Sequence, residues 1–452
     1  MKQFTSKRSI ASIAKSSTSH DTLCTNGMGV DMAILLSLAF YLVVFHSLAN
    51  LPLSNELFFG IHQRFWLHPN LISFVIAGLG LASIMKQLVI RFPGQRKLIL
   101  LLPFTSTCFA GFNGISVNNQ NGNYHFRDYA ASILSTLPEN ATLFINFDQT
   151  WTSVRYLQEC EGFRNDVSSI HVGMMSFEWF SSKQSLYPDM VFPGTHYTQG
   201  NTIKWQEGGF TFSELVDANI DTSSGIFIGG KPTFPDPVYT RDYEEVPHGI
   251  VSKITKKNHL SLSPEKFRVG SKHIWKQIVE QHATMGLPDK SKYGEITWES
   301  TIVREFYDHF VSRAAHLLDL AIKNHESEKD KEHLLLPLAE ACAWLELARV
   351  NDSHSAQSPA LWKNLGLGYL HLVRSKETHF PNISDLLDPN AMSVFEVDVS
   401  SIWWDGTSDW KTWASNRWKA TWSHYLEMDQ AKTDQSYESV KTLYDAVIQV
   451  TK

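Results

Sequence analysis

TLFINFDQTWTSVRYLQECEG, Thr142 to Gly162, reads as a strand, an acidic turn and a helix in succession. Thr142-Leu143-Phe144-Ile145-Asn146-Phe147 is short and apolar, as a buried strand is. Asp148-Gln149-Thr150 breaks the run. Trp151 to Cys160 continues as a helix that Gly162 stops. Val167 to Val172 supplies a second strand, so the stretch predicts a β-α-β unit. Asp148 falls at the carboxyl end of the first strand and the mouth of the helix, where open α/β sheets bind ligands. The simpler reading is that its carboxylate caps the helix. No GxGxxG or Walker A run accompanies it, so the sequence offers nothing in support of a nucleotide site.

The pattern extends on both sides. Phe126 to Leu137 reads as an amphipathic helix stopped by Pro138. Ile226-Phe227-Ile228, bounded by Gly229-Gly230-Lys231-Pro232, reads as a further strand, and Val246 to Ile254 as another. From about Ser261 strand signals stop. Val303, Phe306, Phe310, Ala314, Leu317 and Ala321 recur at helical spacing, as do Leu338, Cys342, Leu345 and Ala348. Trp362 to Tyr369 (WKNLGLGY) fits W-x2-L-G-x2-Y, the first-helix signature of a tetratricopeptide repeat (TPR). One such match predicts TPR-like helical hairpins rather than a regular solenoid. Trp410, Trp413, Trp418, Trp422 and Tyr425 share a broad helical face, which reads as an aromatic core in preference to a sugar-stacking surface.

Upstream the chain changes character. Met32 to Asn55, Phe65 to Met85 and Leu98 to Phe112 carry no Lys, Arg, Asp or Glu, and each reads as a membrane span. Phe58, Phe59, Phe65 and Trp66 cluster between the first two, as in an interfacial belt. Lys2, Lys7, Arg8 and Lys15 precede the first span, and Lys86, Arg91, Arg96 and Lys97 separate the second from the third. The loop between the first two holds only Arg64 and Glu56. This asymmetry predicts a cytosolic N-terminus and a C-terminal part on the other side of the membrane. Sequons at Asn140, Asn351 and Asn382 all lie beyond the third span, and they predict glycosylation in the endoplasmic reticulum lumen. Cys160 and Cys342 would then meet an oxidising space.

Composition agrees with this division. Of 452 residues, 43% are hydrophobic and 19% charged, too apolar for a disordered chain. A mean hydropathy of -0.19 is too polar for a protein lying mostly in lipid. A net charge of -6 gives no basic field, which argues against nucleic acid as a partner. The four Cys show no CxxC pair or ligand spacing, and no metal site or cofactor is expected. The expected organisation is a cytosolic, disordered leader over 1–30, three transmembrane helices within 31–113, a luminal α/β (Rossmann-like βαβ) unit over 114–260 and an all-α, TPR-like unit over 261–452.

Four phrases carry a family resemblance: FHSLANLPL (Phe45 to Leu53), FGIHQRFWLHPN (Phe59 to Asn70), RYLQECEGFRNDV (Arg155 to Val167) and KNLGLGY (Lys363 to Tyr369). They resemble the transmembrane protein 260 family of endoplasmic-reticulum protein O-mannosyltransferases, over roughly residues 31 to 450. The resemblance implies a GT-C-type glycosyltransferase: a multi-span membrane half followed by a luminal α/β and TPR-like half. It implies mannose transfer from a dolichyl-phosphate donor to Ser or Thr of luminal or secretory-pathway proteins. It also implies more spans than three, with the catalytic carboxylate in an early luminal loop, upstream of this chain.

The expected function is therefore the C-terminal part of a protein O-mannosyltransferase, multi-pass in the endoplasmic reticulum membrane. Its partners would be the lipid bilayer and a protein acceptor. The alternative is a non-catalytic, membrane-anchored TPR-like interaction module. Within the chain, Glu56 is the candidate base. Arg64 can grip a donor phosphate bidentately and His62 can add a hydrogen bond or a proton. Arg64 anchoring to lipid headgroups is the ordinary alternative. Asp148 is the substrate-binding candidate of the α/β unit.

Overall fold

The computed structural model describes residues 32–45, 47, 65–199, 208–221, 224–257, 262–289, 291–294, 297–326, 334–387, 395, 397 and 401–450. The leader and the loop with Glu56, His62 and Arg64 lie outside the described residues. The chain divides into two compact units, Met1–Gly122 and Asn123–Lys452.

In the first unit an apolar helix, α1 (Met32–Val44), precedes α2 (Leu67–Arg91) and α3 (Arg96–Asn118). A short 3-10 turn at Pro93–Gln95 joins the last two. Two helices, Leu67–Arg91 and Pro93–Ile115, are long and apolar enough to cross a membrane. Their apolar side chains face outward: Phe74, Ile90, Phe104 and Phe112 are all well exposed. The first expected span, Met32 to Asn55, is described only over the shorter α1. Lys86, Arg91, Arg96 and Lys97 flank the turn between the two long helices, where charge can stay in water. Pro69 sits in the first turn of α2 and is tolerated there, because that N–H has no helical partner anyway.

The second unit opens with α4 (His125–Ser135), then β1 (Thr142–Ile145), α5 (Asp148–Glu161) and β2 (Ser168–His171). After β2 come two short strands, β3 (His196–Tyr197) and β4 (Gly209–Phe210), and α6 (Phe212–Asn219). Next are β5 (Ile226–Gly229), α7 (Pro237–Asp242), β6 (Tyr243–His248) and β7 (Val251–Lys256). The main sheet has the order β2-β1-β5-β7-β6. β1 is parallel to both β2 and β5, while β7 is antiparallel to β5 and to β6. The stretch Val246 to Ile254, expected as one strand, is instead the heart of a hairpin. His248 pairs with Val251, and Gly249 makes the reversal at φ +64. Gly249 signals the turn, but Ile250 and Val251 follow it directly, so the strand-like pattern resumes without a break.

β1 is buried on both faces. Leu143 and Ile145 point into a core shared with the helices, and Phe144 into a second core with Ile170, Phe212 and Ile228. This is the period-2 alternation of a strand between two layers. Gly162 closes α5 in the left-handed region at φ 65. Two residues on, the Arg164 guanidinium donates to the carbonyls of Leu134, Leu137 and Pro138, where α4 ends. Arg164 also holds the Asp166 carboxyl down at about 2 through their hydrogen bonds.

The helices are α8 (Pro264–Met285), α9 (Trp298–Glu326), α10 (Leu335–Asn351), α11 (Pro359–Arg374), α12 (Trp410–Glu427) and α13 (Tyr437–Val450). The anticipated face of α9 is buried throughout, from Val303 to Ala321. The α/β and helical stretches share one continuous hydrophobic core, with Leu143 and Phe227 of the sheet in the same cluster as Trp275 and Phe306. Trp410, Trp418, Trp422 and Tyr425 are buried, so the aromatic face of α12 is core. Cys160 is exposed and Cys342 buried, and both are free thiols.

Gly366 is where α11 and α12 touch. A Cβ there would lie 2.1 Å from Cδ1 of Trp422, and one at Gly368 would lie 2.5 Å from Sγ of Cys342 on α10. The LGLG run thus lets α11 approach two helices at once. The helix packed on Gly366 begins only at Trp410, well beyond the end of α11, whereas a TPR pairs directly successive helices. Gly366→Leu should cost about 1–3 kcal/mol or more, since Trp422 has no room to retreat. The check is thermal unfolding of parent and variant in the same detergent; equal midpoints would refute the close packing.

His282 is 4% exposed and burial lowers its pKa from 6.5 to about 4. The folded chain keeps this ring neutral, while the unfolded chain protonates it near 6.5. Its contribution to stability is therefore present above pH 6.5 and is lost as pH falls toward 4, by up to about 3 kcal/mol. His282→Leu should flatten that part of the acid limb in denaturant titrations. Parallel limbs for parent and variant would contradict the assignment.

Candidate functional site at the carboxyl edge of the sheet

The three parallel strands end side by side. Their registers align Ile145 with His171 of β2 and with Gly229 of β5. Asn146, Asp148, His171 and Gly230 therefore gather at one sheet edge, the position where parallel sheets bind ligands.

Phe147 precedes α5 in an extended conformation and makes no side-chain cap. Asp148 opens the helix, and its carboxylate does not cap it. Oδ1 lies 3.0 Å from Nε2 of His171. The simpler expectation, a capping carboxylate, is thus replaced by a carboxylate–imidazole pair. The His171 side chain is 10% exposed, and that of Asp148 is 92% exposed. Nδ1 of His171 accepts from the backbone N–H of Met174 at 3.3 Å. That bond assigns the neutral ring's proton to Nε2, which donates to Asp148. The Trp151 ring stands edge-on to the imidazole at 5.8 Å and covers it.

Asn146 braces the neighbouring loop. Its Nδ2 donates to the Lys231 carbonyl at 2.7 Å, and its Oδ1 accepts from Thr233 Oγ1 at 3.1 Å. Gly230 takes φ +99 between them, a conformation suited to glycine. Gly173 sits just past β2, where a Cβ would come within 3.1 Å of the imidazole. The backbone thus packs close on two sides of the pair.

The arrangement has a direction. Both ring nitrogens of His171 are engaged, and the ring is covered. Asp148 is the group that faces water. It can accept a hydrogen bond from a hydroxyl, or take its proton, while His171 fixes the carboxylate by donation. Among the described residues, no three His, Cys, Asp or Glu side chains stand close enough to hold a metal ion.

Of the residues singled out in the sequence, Asp148 alone enters this site. Asn140 and Asn382 are exposed. Asn351 is 5% exposed, and its amide donates to the Leu347 and Val397 carbonyls while accepting from Val397 N–H. The folded chain therefore holds that sequon's asparagine in the core. His171, Asn146 and Thr233 were not anticipated. Aligning the two predicted strands in parallel register would have placed His171 level with the end of the first.

Residues 126–191, which contain β1, α5, β2 and the Asp148–His171 pair, match the family model described as TMEM260-associated domain 2. The chain is 30% identical over 391 residues to protein O-mannosyl-transferase tmem260 of Dictyostelium discoideum, covering 82% of this chain and 45% of that protein. It is 28% identical over 277 residues to protein O-mannosyl-transferase TMEM260 of Mus musculus, covering 60% of this chain and 37% of that protein. The chain thus spans less than half the length of these curated relatives. No solved structure matches it. By these similarities the chain belongs to the TMEM260 family.

Proposed function

We propose that this chain is the C-terminal part of a membrane protein O-mannosyltransferase. In this reading it transfers mannose from a dolichyl-phosphate donor to Ser or Thr of proteins in the endoplasmic reticulum lumen. The observation that carries the reading is similarity to two proteins named as O-mannosyl-transferases, over up to 391 residues. The exposed Asp148 carboxylate, held by His171 inside the matched domain, supports a site for a hydroxyl-bearing substrate. Arg64 and His62, in the loop after the first apolar helix, are assigned to the donor phosphate, and Glu56 stands as a base candidate within the chain. The alternative is a non-catalytic, membrane-anchored interaction module, in which the helical hairpins bind a protein partner.

In microsomes from cells lacking their own relative, this chain joined to the N-terminal part of a full-length relative should support mannose transfer from dolichyl phosphate mannose above background. Asp148→Asn should raise the acceptor KM about 10-fold or more, the worth of a hydrogen bond to a charged group. His171→Gln should do so less, because it acts only by positioning. Background transfer by the parent would leave the interaction module as the better reading, and an unchanged KM in both variants would remove the site from acceptor binding.

Luminal orientation predicts that Asn140 and Asn382 carry glycans and that Asn351 does not. Asn140→Gln and Asn382→Gln should each remove one glycosidase-sensitive increment of mass. A fully unglycosylated parent, with its C-terminal unit digested by protease in sealed microsomes, would reverse the topology.

A further inference from the structure

A second site lies among α8, α9 and α10. Arg313 is 1% exposed and Trp275 2%. Arg313 donates from Nη2 to Glu340 at 2.7 Å and from Nε to Ser271 Oγ at 3.2 Å. Its Nη1 has no protein partner, and neither does the indole Nε1 of Trp275. Both residues line one small cavity of about 20 Å³, together with Lys272, Lys276, Glu340 and Trp344. A space of roughly 10–15 Å³ suffices for a single water-sized sphere. Two buried donors without acceptors are a costly arrangement unless something fills the space between them.

The chemistry of the walls says what kind of group fits. Arg313 is the buried cation of the lining and Glu340 its one carboxylate; Lys272 and Lys276 line it from the exposed side, Lys276 also lying 3.8 Å from Glu280. Glu340 is already taken: Arg268 Nη1 donates to it at 3.1 Å, Arg313 Nη2 at 2.7 Å and Trp344 Nε1 at 3.4 Å. A water would accept from both orphan donors, but Glu340, with three donors already on it, has room for about one of the water's two hydrogens. A monoatomic anion accepts from both and brings no hydrogen of its own. We propose that the cavity between Arg313 and Trp275 is a structural halide site, with chloride as the physiological occupant, tying α8 to α9 and α10.

The test holds the full chain in neutral detergent at constant ionic strength and exchanges gluconate for chloride or bromide. Halide should raise the unfolding midpoint saturably, by about 2 °C or more. Trp275→Phe keeps an aromatic ring, though a smaller one, and deletes one donor, and it should abolish most of that increment. A variant that folds with a lower midpoint but keeps the full halide increment would overturn the site. An identical midpoint for the parent in gluconate, chloride and bromide would overturn it as well. Crystals grown in bromide should show anomalous density beside Arg313 Nη1, and an ordered water without anomalous signal would assign the cavity to solvent instead.

Discussion

The burial of one helix, α10, constrains everything packed around it. Fourteen of its 17 residues are buried, two glutamates among them. A charge so placed is tolerated only when paired and hydrogen-bonded. Glu340 meets Arg268 of α8 and Arg313 of α9. Glu346, nearly two turns on, meets Arg417 of α12, Arg349 of its own helix and the Tyr369 hydroxyl of α11 at 2.9 Å. Removing one partner of such a pair typically costs about 3–5 kcal/mol, because the other charge stays buried. The two carboxylates therefore fix four neighbouring helices against α10. Apolar packing alone tolerates repacked neighbours; paired charges do not. The register of the helical layer follows from this, and so does the surface on which the sheet rests through Leu143 and Phe227.

The sequence revealed elements more readily than partners. The β1-α5-β2 unit was legible because strand, breaker and helix follow in one short run, with periodicities that change where the structure changes. α9 was legible from Val303 to Ala321 because one face carries all the apolar residues. α10 was legible only in part. Its periodic residues Leu338, Cys342, Leu345 and Ala348 are buried, but so are the intervening Glu340 and Glu346. A pattern that assigns charge to water cannot foresee a glutamate answered by arginines distant in sequence. The β6–β7 hairpin was misread as one strand for the converse reason. Gly249 did mark the reversal, but the apolar Ile250 and Val251 that follow it resume the strand pattern at once and masked the signal.

The same distinction governs the site. Asp148 was visible as an acid at a strand's end, a property of neighbouring residues. His171 became its partner only through the parallel register of β1 and β2, a property of the fold. Asn351 shows the limit in the other direction. Its tripeptide is a sequon, yet its amide is spent within the core on Leu347 and Val397. Local motifs carry information about chemistry that a chain could perform, and burial decides which of it remains available.

How Asp148 and His171 divide their labour follows from which of them is covered. In a nucleophile–histidine–acid relay the imidazole must face the substrate, since it shuttles the proton, and the carboxylate stays behind it. Here the order is inverted. The imidazole is enclosed by Trp151, with one nitrogen on the Met174 backbone and the other on Asp148, and the carboxylate is the outer group. A histidine so tied has no nitrogen left for a substrate. Its contribution is to hold one carboxylate oxygen, so that the carboxylate meets an incoming hydroxyl in a fixed orientation. That arrangement suits recognition of a hydroxyl-bearing acceptor at a sheet edge, and it places any proton transfer on Asp148 itself.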